Sequence, residues 1–321
     1  MAVNNKVDVF TTTMRTEFQV AYQATAEPAP WEKFTQAIPS SARIEHYTWM
    51  SPSPGLNLYA GHRRFGSIDT VRYSVENKEF DASFQVLRRD IEDDQTGGYM
   101  LKPKELAERA KKFPGRWVIK HLSNAEGRTC FDGTNMAANS HVIGTGDNLL
   151  AKDCASNDGL TYNIAALFTG GTLKPLLWQN RKPPEFKTDA GSPTSDMAKI
   201  VHYWIDMEGE AAYGYWWDLV WVNVADTPNV TEMHEIFSSI EAAFRTFTLP
   251  KSLASEDGEY IHEQVEFSAS NLTLVASTGL AELLRQSLNQ DWVPQSVAST
   301  VVPTTNRFKG WASYVVSAFM N

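Results

Sequence analysis

A strand-rich stretch from about residue 128 to about residue 230 most constrains what this chain can fold into, because helical patterns lie before and after it. Within the stretch, residues 200–207 and 213–224 have patterns typical of strands. These strands do not alternate one by one with helices, as a doubly wound parallel sheet requires. The order of elements therefore predicts an α+β fold.

Two helices are predicted ahead of the strand-rich stretch. Large apolar side chains recur every fourth residue at Phe10, Met14, Phe18 and Tyr22, which places them on one helical stripe. This helix either docks as an arm on a larger body or belongs to the main core. A longer helix is predicted over about 99–125, and the Pro114-Gly115 pair should kink or split it.

Period-two alternation between these helices predicts a β-hairpin. Val71, Tyr73 and Val75 alternate with polar residues, and so do Phe80, Ala82, Phe84 and Val86 after a polar break. The segment before it, 46–66, mixes prolines, glycines and aromatic residues with a basic triplet. A long, structured loop is predicted there, and such loops are usually functional.

The last third of the chain is predicted to contain two helices and two strands. The helices cover about 231–247 and 278–290, and Thr278 is the expected N-cap of the second. A buried strand is expected at 272–276 and a terminal strand at 314–319. The sequence shows no internal repeat.

Composition and charge exclude several classes of protein. The 321 residues carry a formal net charge of −9, which disfavours a dedicated DNA-binding protein. Two cysteines form no disulfide framework, and a reduced site of synthesis fits them best. No apolar run is long enough to predict a membrane span or a signal peptide.

The common catalytic motifs are missing from the sequence. There is no Walker A motif and no Gly-x-Ser-x-Gly elbow. His234-Glu235 and His262-Glu263 begin like a zinc-protease motif, but neither has a second histidine four residues after the first. Cys130 lies near His121 and His141 in sequence, which could suggest a cysteine nucleophile. A small, buried, apolar side chain is the preferred interpretation of Cys130. The sequence thus predicts no enzyme, no cofactor, and no catalytic or metal-binding residue.

Several landmarks, read in order, resemble one known family over nearly the whole chain. They include Tyr59-Ala60-Gly61-His62-Arg63, Arg88-Arg89-Asp90-Ile91-Glu92-Asp93-Asp94, Phe131-Asp132-Gly133 and Lys174-Pro175-Leu176-Leu177-Trp178-Gln179-Asn180-Arg181-Lys182. The pattern resembles the Mu-like prophage major head subunit family. The stretches 88–94 and 174–182 are the most specific to this family.

The resemblance implies the capsid fold of tailed phages, of the Hong Kong 97 type. It implies an N-terminal arm over residues 1–45, an extension loop with its hairpin over 46–90, a peripheral domain over 91–231 and 311–321 with a spine helix at about 99–125, and an axial domain over 232–310.

The function implied by the resemblance is that of a major capsid protein of the virion, assembled in the host bacterial cytoplasm. Subunits would form hexamers and pentamers that close an icosahedral head around double-stranded phage DNA, contacted weakly and without sequence specificity. A scaffold, a portal and decoration proteins are the expected further partners. No contact with a membrane is expected. An encapsulin-like compartment shell and a hydrolase with an unrecognised site are the alternatives.

The residues expected at contacts between subunits are exposed-looking aromatic and charged residues of the loop and of the specific stretches. They are Trp49, Tyr59, Arg63, Arg64, Phe65, Arg88, Arg89, Glu92, Asp93, Asp94, Arg181 and Lys182.

Overall fold

The computed structural model describes residues 2–26, 31–50, 61, 73–93, 97–192, 195, 199–248, 267–297 and 300–320. Its helices are α1 (Ala2–Ala24), α2 (Trp31–Phe34), α3 (Arg88–Asp93), α4 (Leu101–Leu122), α5 (Val230–Thr246) and α6 (Ala281–Asn289). Its strands are β1 (Thr35–Pro39), β2 (Ile44–His46), β3 (Ser74–Glu76), β4 (Lys78–Leu87), β5 (Leu149–Asp153), β6 (Thr161–Phe168), β7 (Leu176–Thr188), β8 (Ile200–Tyr213), β9 (Leu219–Ala225), β10 (Leu272–Ser277), β11 (Trp292–Val297), β12 (Thr300–Thr305) and β13 (Ser313–Ser317).

The first of two larger sheets has four strands in the order β1-β7-β8-β4. β1 runs parallel to β7, and β8 is antiparallel to both β7 and β4. The β7–β8 register shifts on either side of Lys182. Pro183 and Pro184 follow directly, and because proline has no backbone N–H it cannot donate to the ladder at these points.

Helix α1 packs on this sheet through the predicted apolar stripe. Met14 and Phe18 are buried, and the Phe18 ring lies 5.4 Å from the Phe186 ring of β7. An ion pair of 3.1 Å between Lys104 and Glu17 joins α1 to α4. The N-terminal helix is therefore confirmed, and within one chain it docks on that chain's own sheet and on α4.

The second larger sheet has five strands in the order β13-β10-β6-β9-β5. β10 pairs in parallel with β13 and antiparallel with β6, and β9 pairs antiparallel with β6 and in parallel with β5. Helix α5 begins with a capping box, in which Asn229 accepts from the Glu232 backbone and Glu232 from the Asn229 backbone. Its apolar face, from Met233 to Phe244, is buried in the main core.

The predicted hairpin is wrong, although both of its strands exist. β3 pairs with β2, and β4 pairs along its whole length with β8. The chain turns between them at Asn77, whose side chain donates to Ser40 Oγ and to the Ala42 carbonyl, each at 2.8 Å. This anchoring separates two strands that are adjacent in sequence.

Two local predictions about helices are also corrected. Helix α4 continues through Pro114 without a break, so the Pro114-Gly115 pair does not split it, and Gly115 lets the Trp31 ring approach. A Cβ at Gly115 would lie 2.6 Å from Trp31 Cδ1. Thr278 begins a separate 3-10 turn, so the N-cap of α6 is Leu280 instead.

Most of the loop predicted at 46–66 lies outside the described residues. Among the helices that the structure describes, none is long and apolar enough to cross a membrane.

Candidate assembly surfaces

The residues predicted at subunit contacts fall into two groups. Tyr59, Arg63, Arg64, Phe65 and Asp94 lie outside the described residues. The others lie in three places: beside the start of the predicted loop, on helix α3, and on strand β7.

Trp49 lies in a short 3-10 turn directly before residue 51 and is 51% exposed. Its ring meets the Tyr47 ring edge-on at 5.8 Å. Tyr47 is buried, which raises the pKa of its hydroxyl to about 12, and that hydroxyl donates to Gln179 Oε1 at 2.6 Å. The Trp49 ring is thus exposed to solvent while it packs against a buried, hydrogen-bonded tyrosine, as expected of a contact residue.

Helix α3 carries charged side chains of both signs on two turns. Ile91 is buried and anchors the helix, while Arg89 and Asp93 are exposed. Arg89 Nε lies 3.4 Å from Asp90 Oδ1 of the same helix. Because Arg88, Arg89, Glu92 and Asp93 share one short element, each copy of the chain presents cations and anions side by side.

Arg181 and Lys182 have an anionic partner within their own chain. Arg181 Nη1 lies 2.6 Å from Glu208 Oε2, and the Lys182 ammonium contacts the other oxygen of the same carboxylate. The Glu208 side chain is only 7% exposed. Burial makes a carboxylate costly unless cations and hydrogen bonds satisfy it, so these two residues stabilise the β7–β8 pair.

Replacing Glu208 with glutamine should therefore weaken the isolated subunit. We expect the free energy of unfolding to fall by about 1–3 kcal/mol, because the charge-assisted hydrogen bonds are lost. Urea denaturation of unassembled protein measures this. Glu185→Gln removes a well-exposed carboxylate from the same strand pair and serves as the control. Equal stability of the Glu208 variant and wild type would contradict the assignment.

A buried group of potential metal ligands lies in the segment between α4 and β5. Ligand atoms of Cys130, Asp132 and His141 all lie within 4.8 Å of one another. Burial alone would raise the pKa of Asp132, but the contact with His141 Nδ1 and hydrogen bonds from Thr134 and Cys130 hold it below its usual range. Burial, and then the charge of the same carboxylate, raise the pKa of the Cys130 thiol.

Asp132 is not predicted from the sequence as a partner of Cys130. The Cys-x-Asp spacing was the available signal. His121, the other histidine considered, lies elsewhere: its Nδ1 is 3.0 Å from Arg128 Nη1. Burial, followed by the charge of Arg128, lowers the pKa of His121 to about 3.

A sequence comparison identifies the family. The profile described as "Mu-like prophage major head subunit gpT" matches residues 7–243. This chain belongs to that family. The Mu-like prophage FluMu major head subunit of Haemophilus influenzae is 27% identical over 198 residues, which cover 59% of this chain and 64% of that protein. The alignment therefore spans less than two thirds of this relative. The major capsid protein of Escherichia phage Mu is 26% identical over 215 residues, 63% of this chain and 70% of that protein.

Solved structures show the same fold. The capsid of bacteriophage JBD30 matches with a TM-score of 0.70 and 18% identity, covering 92% of each chain. The procapsid of that phage matches with a TM-score of 0.68 and 20% identity, covering 96% of this chain and 98% of that one. The predicted α+β fold of the Hong Kong 97 type is confirmed, and the compartment-shell and hydrolase alternatives gain no support.

Proposed function

We propose that this chain is the shell-forming subunit of a Mu-like phage head and is a component of the virion. The observation that carries the proposal is the match to a phage capsid subunit over 92% of both chains, in a member of a major head subunit family. The family is one of head subunits, which agrees with a structural role in a shell.

The subunit is proposed to assemble with copies of itself into hexamers and pentamers that close an icosahedral head. Trp49 and the mixed charges of α3 suit contacts between copies, because each α3 can offer an arginine to one neighbour and a carboxylate to another. Single exposed pairs contribute about 0–1 kcal/mol, so repetition over many contacts has to provide the stability.

Further partners remain part of the proposal. A JBD30 capsid has been solved "decorated with minor capsid protein trimers", and we propose a comparable decoration here, together with a scaffold and a portal. The net charge of −9 supports only weak, non-specific contact with packaged double-stranded DNA.

The domain division also remains a proposal. We assign strands β7 and β8 and α4, as spine helix, to the peripheral domain, and residues 1–45 and 46–90 to the arm and the extension loop, which add β1 and β4 to the same four-stranded sheet. The five-stranded sheet combines β5, β6 and β9 with β10 and β13. Because its strands lie on both sides of residue 232, we propose that the axial domain includes this whole sheet with α5 and α6.

Electron microscopy and sedimentation of the purified full chain test the proposed function. We expect capsomers, tubes or shells from the wild type, and loss of these from Trp49→Ala with subunit stability changed by no more than about 0.5 kcal/mol. Leu160→Ala removes an equally exposed apolar side chain, 51%, and is the control. A wild type that stays monomeric at every concentration, with its scaffold also supplied, would contradict the function. Normal shells from Trp49→Ala would contradict only the contact.

A further inference from the structure

The segment from residue 123 to residue 148 contains neither a helix nor a strand longer than an isolated bridge. Ordered segments of this length without regular structure are uncommon and need another source of stability. Three side chains meet at its centre: Cys130 is buried, and the side chains of Asp132 and His141 have no exposed surface.

Asn148 determines which nitrogen of His141 carries a proton. Its amide nitrogen donates to the Met136 carbonyl at 2.8 Å and to the Trp216 carbonyl at 3.1 Å. Its Oδ1 therefore faces the Ala138 N–H at 2.9 Å and His141 Nε2 at 3.2 Å. Because this oxygen can only accept, Nε2 is the protonated nitrogen, and Nδ1 of the neutral ring has a free lone pair.

The lone pair on His141 Nδ1 faces other acceptors. Asp132 Oδ2 lies at 2.9 Å and Thr134 Oγ1 at 2.8 Å. The Thr134 hydroxyl donates its hydrogen to Asp132 Oδ1 at 2.6 Å and has none left for the ring. A neutral imidazole here would oppose a carboxylate, so the arrangement requires a cation: a second proton on the ring, or a metal ion.

The third side chain favours the metal ion. Cys130 Sγ lies 3.0 Å from Asp132 Oδ1, and a sulfur, a ring nitrogen and a carboxylate oxygen lie within 4.8 Å of one another. Zinc is bound in proteins by this set of ligands, and the far nitrogen of a zinc-bound histidine usually donates to an oxygen, as His141 Nε2 does to Asn148. A second proton on the His141 ring would be balanced by the Asp132 carboxylate alone, without Cys130.

We propose that Cys130, Asp132 and His141 bind a divalent zinc ion that fastens the 123–148 segment. A thiolate and a carboxylate balance the two charges of the ion, and the thiol proton leaves to solvent. Thr134 Oγ1, which touches two of the three ligands, supplies the remaining oxygen ligand directly or through water. The Trp216 ring, stacked on His141 at 4.0 Å and 2°, holds the imidazole in place. No metal site is predicted from the sequence, and the proposed site does not depend on assembly.

Metal content and cobalt spectra of the purified full chain test the proposal. Cys130→Ser keeps a hydroxyl donor for Asp132 but removes the thiolate, and Cys154→Ser changes the other buried cysteine as a control. Wild type and Cys154→Ser should retain one zinc ion per chain after gel filtration. Loaded with Co²⁺, both should show a thiolate-to-cobalt absorption band. Cys130→Ser should lose the band and bind zinc at least about tenfold more weakly.

The opposite result would leave a protonated histidine paired with Asp132. Wild type would then retain no more zinc than Cys130→Ser, and the two proteins would unfold at the same temperature. Should Cys130→Ser not fold, the wild type alone decides: a chelator should lower its unfolding temperature and added zinc should restore it. No change in either direction would overturn the proposal.

Discussion

Replacing Trp216 with alanine should lower the free energy of unfolding by about 3–5 kcal/mol, the usual loss for a large aromatic side chain in a core. Trp216 is completely buried, and its ring packs edge-on against Phe247 at 5.4 Å. Its Nε1 donates to the Ile143 carbonyl at 2.7 Å. The variant would thus create a cavity and also leave a carbonyl without its donor.

Urea denaturation of the unassembled subunit at neutral pH measures this loss. Trp292→Ala is the matched control, since the same change at a residue that is 61% exposed should alter stability by no more than about 0.5 kcal/mol. A loss below about 1 kcal/mol for Trp216→Ala would show that the 123–148 segment does not depend on this ring.

Replacing Asp218 with asparagine should stabilise the protein at neutral pH. Asp218 is buried, its Oδ2 has no hydrogen-bond partner, and burial raises the pKa of this carboxyl well above its usual range. The folded chain therefore retains a proton that the unfolded chain releases near pH 4. Between those two pKa values, each unit of rising pH costs the wild type about 1.4 kcal/mol, and the neutral amide avoids this cost.

The sign of the pH dependence makes this prediction specific. Asp218→Asn and wild type should have similar stability near pH 4, where both side chains are neutral, and the advantage of the variant should grow as the pH rises to 7. Stability measured against pH by urea denaturation tests it, with the exposed Asp153→Asn as control. A difference in stability that does not change between pH 4 and pH 7 would show that Asp218 is ionised in the folded chain.

Features that depend on neighbouring residues could be predicted from the sequence. The four-residue spacing of Phe10, Met14, Phe18 and Tyr22 predicts α1, and the apolar face after residue 230 predicts α5; both helices are confirmed. Helical spacing is a local property, so the pattern suffices.

Strand partners could not be predicted, because alternation shows that a segment is a strand but not which strand it pairs with. β4 pairs with β8 from Lys78↔Gly209 to Leu87↔Ile200, across more than a hundred residues. For the same reason, the ion pairs at Glu208 could not be predicted from the sequence. Arg181 was expected to contact another chain, and only the β7–β8 register places this carboxylate beside it.

The parallel pairing of β10 with β13 has a consequence for synthesis of the protein on the ribosome. β10 is complete at Ser277, but its outer hydrogen-bonding edge is covered only after Ser317 has been translated. Until then the nascent chain exposes an open strand edge, which is a template for pairing with other chains. Prematurely terminated chains that lack β13 should therefore aggregate, whereas full-length chains protect this edge themselves before they meet a neighbour.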